Sequence, residues 1–73
     1  MSLPSSDETR INNVVVEILK KHVNSTNQLN SKTFYNAVET AFSSAPPREA
    51  FYAGMRTTMI LLSKPEDRAA LLR

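Results

Sequence analysis

Only one stretch of this chain has the makings of a β-strand, and no second stretch exists to pair with it. NVVVEIL, residues 13–19, places Val14, Val15 and Val16 side by side, all β-branched and individually poor helix formers. A strand without a neighbour leaves its backbone N–H and C=O groups unsatisfied. The stretch is therefore expected to be helical, and Ile11, Val14, Val15, Ile18 and Leu19 do recur at helical spacing. With its single strand candidate removed, the chain reads as all-α: a small bundle of about four short helices, roughly 7–23, 32–43, 47–62 and 64–72.

Helix boundaries come from caps, prolines and one polar run. Residues 1–5, MSLPS, read as a flexible lead-in, and residues 6–73 as a single helical domain. Ser5 with Glu8 fits a capping box, and Lys20, Lys21 and His22 supply the positive end that a helix C-terminus favours. NSTNQLNS, residues 24–31, is a polar loop. Ser31 is expected to cap the second helix, where Phe34, Ala37, Val38, Ala41 and Phe42 follow the amphipathic pattern. SSAPP at 43–47 breaks the chain, since Pro46 disfavours helix at Ala45 and Pro47 suits a first helical turn. Ser63, Pro65 and Glu66 then predict a short last helix whose apolar content is chiefly Leu71 and Leu72.

FYNAVETAF (34–42) and FYAGMRTTM (51–59) superpose without a gap. The spacing is too short for a solenoid repeat, so the likeness predicts one apolar face written on each of two packed helices. Phe34, Val38 and Phe42 form one row, and Phe51, Met55 and Met59 the other. The two rows are expected to meet in the core, with Tyr35 and Tyr52 at the rim. Gly54, inside the third helix, costs roughly 1 kcal/mol relative to alanine and admits close approach of another backbone.

Composition narrows the function mainly by exclusion. There are no cysteines and one histidine, so neither a disulfide framework nor a structural zinc cluster is available. No glycine-rich phosphate loop is possible with a single glycine. His22 has no identifiable base, nucleophile or carboxylate partner and reads as a helix-end residue. The expectation is a non-catalytic chain without metal or cofactor. No segment is apolar enough for a bilayer and the N-terminus has no secretory pattern, so the expected location is cytoplasmic, and the sequon Asn24-Ser25-Thr26 is a chance match.

Two surfaces invite a partner. Met59, Ile60, Leu61 and Leu62 are apolar around a full turn, and Val16 and Val23 widen the apolar face of the first helix. A domain of this size with surplus apolar surface is expected to be a protein–protein interaction module, an adaptor or regulator. It is expected to self-associate as a homodimer through Tyr35, Tyr52, Met59, Ile60, Leu61 and Val16. The competing expectation is a DNA-binding regulator, with the second and third helices as a helix-turn-helix. Arg48, Tyr52 and Arg56 would then contact phosphate, or an acidic protein surface. The formal charge of +2 and the two prolines in the connection argue against nucleic acid.

Overall fold

The computed structural model describes residues 5–72, with side chains from Asp7 onward. The valine triplet is helical, as the missing strand partner requires. Four helices run in order among the described residues: α1 (Ser5–Lys21), α2 (Ser31–Ala41), α3 (Pro47–Leu62) and α4 (Pro65–Leu71). The only β-type pairing among those residues is one antiparallel bridge, Val23 to Leu29, which closes the loop between α1 and α2.

Several boundary assignments are corrected. α1 already includes Ser5, so the last residue of the expected lead-in is helical, and the cap of α1 falls outside the described residues. The cap of α2 is Asn30 rather than Ser31: its side chain accepts a hydrogen bond from the Thr33 amide at 3.1 Å. Asn30 has extended backbone angles while Ser31 is already helical, and only the former geometry aims a side chain at the free amides of the first turn. Ser63 does not cap α4 either. Its hydroxyl donates to the Ile60 carbonyl at 2.6 Å and so closes the end of α3, leaving Lys64 before α4 without a side-chain cap.

The first three helices pack against one another around a single core. Ile11, Val15 and Leu19 enter it from α1, Phe34 and Val38 from α2 with Phe42 just beyond its end, and Ala53 and Ile60 from α3. Thr57 is the one buried polar residue of this core, and its hydroxyl is satisfied by donating to the Ala53 carbonyl at 2.8 Å. The expected row Phe51, Met55 and Met59 is not in the core. α3 turns nearly its opposite side inward, so the two Phe-Tyr segments do not face each other as equivalents.

Volume accounts for this. α1 and α2 already supply most of the large side chains of this core, Ile11, Val15, Leu19, Phe34, Val38 and Phe42, and close packing limits how many more it takes. Ala53 and Thr57 bring the small side of α3 to Val38 and Phe42, and leave a hollow of about 210 Å³ between α2 and α3. Large meets small.

Polar contacts fix α3 against α1. Arg10 pairs with Glu49 at 2.8 Å, and Arg56 Nε donates to Asn12 Oδ1 at 3.0 Å. The Glu49 carboxylate, by hydrogen bond and charge, holds the Arg10 guanidinium above its ordinary pKa, so this arginine is cationic at any working pH. α4 is attached differently. Asn27, at φ 62°, donates from Nδ2 to the Pro65 carbonyl and accepts from Arg68 Nη2 on its own carbonyl. Asparagine is among the few residues that tolerate that left-handed angle. Leu71 and Leu72 lie partly buried against the core.

Candidate functional site

The inward rotation of Ala53 and Thr57 forces the large side chains of α3 outward. Phe51 is 78% exposed, Met55 43%, Met59 52% and Leu62 82%, and Tyr35 of α2 flanks them at 48%. With 100° per residue, positions 51, 55, 59 and 62 fall within a quarter-turn and form one continuous row along the helix. Isolated exposed apolar residues are ordinary, but a row of large ones on one helix is not.

The row borders two hollows. One, of about 210 Å³, lies between α2 and α3 and is walled by Val38, Phe42, Ala50 and Gly54 with Tyr35 at its lip. The other is a shallower depression on the outer side of α3, bounded by Tyr35, Phe51, Gly54, Met55 and Thr58. Gly54 belongs to both. A Cβ built on Gly54 would meet nothing within 4 Å, and its φ is not positive. Neither packing nor backbone geometry within the chain calls for glycine there. Thr58 donates its hydroxyl to the Gly54 carbonyl at 2.9 Å, so the polar side chain in this depression is already paired.

The residues anticipated as an interface are divided by the structure. Tyr35 and Met59 lie on the exposed surface, and Val16 is half-buried on α1. Ile60 is 3% exposed and belongs to the core, and Leu61 and Tyr52 pack against it from the edge. The full apolar turn Met59–Leu62 is therefore half used inside the chain: Ile60 and Leu61 point toward the other helices, Met59 and Leu62 away from them. Leu62 was anticipated as part of that turn, whereas Phe51 and Met55 were expected in the core and not on the surface. Their signal was present in the alternative row Ala50, Ala53, Thr57 and Ile60, which has the same helical spacing with three small side chains before Ile60.

The basic stripe does not survive as an open surface. Arg48 is exposed, but Tyr52 rests partly on the core and Arg56 is engaged by Asn12, with its Nη1 3.9 Å from Met59 Sδ. Only one of the three side chains faces solvent without such commitments. His22 lines a polar basin at the other end of the molecule together with Lys21, Asn27 and Arg68. Much of that basin is occupied with itself. Asn24 Oδ1 accepts from the Thr26 and Gln28 amides and from the Thr26 hydroxyl, and its Nδ2 donates to Gln28. Among the described residues no group of His, Cys, Asp and Glu is placed to hold a metal ion, and no helix is long and apolar enough to cross a membrane.

No family model, curated protein or solved structure matches this chain. What the surface does rests on its own chemistry.

Proposed function

We propose that this protein is a non-catalytic helical interaction module, an adaptor or regulator, that works through the outer face of α3. One observation carries the reading: Phe51, Met55, Met59 and Leu62 form an exposed apolar row on a helix whose opposite side already completes the core. Taking about 200 Å² for a large, fully exposed side chain, these four and Tyr35 present on the order of 600 Å² to water. That is at the upper end for the largest patch on an ordinary monomer. Removing such a surface from water favours association at about 25 cal/mol per Å² before the costs of binding.

The expected partner is a second copy, which turns the self-association anticipated for the first and third helices into one centred on α3. Sedimentation equilibrium over micromolar to millimolar concentration tests it. The chain is expected to exceed its 8.2 kDa monomer mass in a concentration-dependent way, and Phe51→Glu is expected to restore the monomer with helicity unchanged. A clean monomer at every concentration would remove self-association.

A further inference from the structure

We infer that two copies pair antiparallel along α3, about a two-fold axis at Met55, with Met55 of each chain seated over Gly54 of the other. The inference rests on α3 being the contact face, and it adds the partner and the register.

Symmetry in the sequence is the first ground. Phe51 and Met59 lie four residues to either side of Met55. An antiparallel pair centred there brings Phe51 against the partner's Met59 twice and Met55 against its own copy. Thioether–aromatic contacts of this kind are favourable and tolerant of geometry. The same register lays Leu62 against the aliphatic stem of the partner's Arg48, which is exposed in the single chain. Every large side chain of the row finds an apolar neighbour.

Gly54 is the second. Residues 51, 54, 55 and 58 have the i, i+3, i+4, i+7 arrangement that forms the hole for one knob of a facing helix. They surround the depression on the outer side of α3. A glycine inside a helix is unfavourable, and here nothing in the chain occupies the space a Cβ would take. A helix arriving from outside does. It needs that space for Met55.

The polar groups permit the burial. Thr58 is already bonded to the Gly54 carbonyl, Glu49 is paired with Arg10, and Arg56 is turned toward Asn12. The row positions 51, 55, 59 and 62 carry no charge; the nearest guanidiniums, Arg56 with Nη1 3.9 Å from Met59 Sδ and Arg48 one turn before Phe51, sit at the edge of the paired face. The area is also of the right order. A standard interface takes about 800 Å² from each partner, and the apolar row with its flanking stems approaches that figure on a surface of 4996 Å².

The chain lacks cysteine, so single thiols can be placed and cross-linked without background. Met55→Cys, on the axis, is expected to oxidise to a covalent dimer faster than Phe51→Cys alone or Ser44→Cys in the exposed connection. An equal mixture of Phe51→Cys and Met59→Cys is expected to cross-link preferentially as the mixed dimer. Gly54→Leu is expected to keep its helicity and to melt no lower as a monomer, while the dimer dissociation constant rises at least roughly thirtyfold, the scale of a central interface anchor. A wild-type dimer in which Met55→Cys cross-links no faster than Ser44→Cys, or in which Gly54→Leu dissociates no more readily, overturns this register and leaves α3 as a contact face. A wild type that never associates removes the contact-face reading itself.

Discussion

α2 and α3 carry nearly the same opening letters and use them in opposite ways. Phe34 is wholly buried and Phe51 is among the most exposed large apolar residues of the described chain. On α2 Phe34 and Val38 go inward and Tyr35 alone of the large apolar side chains faces out; on α3 Ala53, Thr57 and Ile60 go inward and Phe51, Met55, Met59 and Leu62 face out. Residue type alone therefore does not decide which side of a helix is core. What decides is the volume the neighbouring helices have already filled, and α3 packs last in that sense. Its large residues are left over on the surface, which is the ground for proposing a partner there.

The comparison is broken most sharply by truncating each phenylalanine. Phe34→Ala is expected to cost about 3–5 kcal/mol in monomer stability, enough to unfold much of a small domain, as read by urea denaturation. Phe51→Ala is expected to stay within about 0.5 kcal/mol in dilute monomer. Equal losses at the two positions would mean that α3 buries the same face as α2. Ala53→Leu comes next, because Ala53 is fully buried and only the hollow of about 210 Å³ toward α2 could take the added side chain. Overpacking there is expected to cost about 1–3 kcal/mol. If Ala53→Leu were neutral, the volume explanation for the rotation of α3 would fail.

Much of this was readable from residue order, and one part was not. The unpaired valine triplet excluded a sheet, and Pro46, Pro47 and Pro65 located the starts of α3 and α4 to within a residue. The buried face of α2 was legible, since Phe34, Val38 and Phe42 were expected inward and are buried, although Ala41 of the same pattern is exposed. The rotation of α3 was not, because it depends on the summed volume of side chains from two other helices. Two rows on that helix had helical spacing, and hydrophobicity chose the larger one. Rules that hold along most of a chain tend to fail at functional surfaces, and this failure falls on the candidate site. The caps were misassigned for a smaller reason: Asn30 and Ser31 are adjacent and both suitable, and only backbone angles separate them.

Two smaller effects sharpen the contrast between the helices. α2 starts with a side-chain cap and α3 with prolines, so Asn30→Ala is expected to cost about 1 kcal/mol, while Ser31→Ala stays within about 0.5 kcal/mol. Gly54→Ala is expected to act in the other direction. With nothing within 4 Å of the new Cβ, it stabilises the monomer by up to about 1 kcal/mol through helix propensity. Thermal melts of dilute samples distinguish these, and a destabilising Gly54→Ala would mean that the chain itself requires the glycine.

The central claim is that the outer face of α3 is surplus to the fold of one chain and is covered by association. The most direct test is the urea midpoint of the wild-type protein measured across a wide range of chain concentration. Association that buries this face stabilises the native state by mass action, so the midpoint is predicted to rise with concentration, and to become flat in Phe51→Ser/Met55→Ser/Met59→Ser. A wild-type midpoint that does not move with concentration would contradict it.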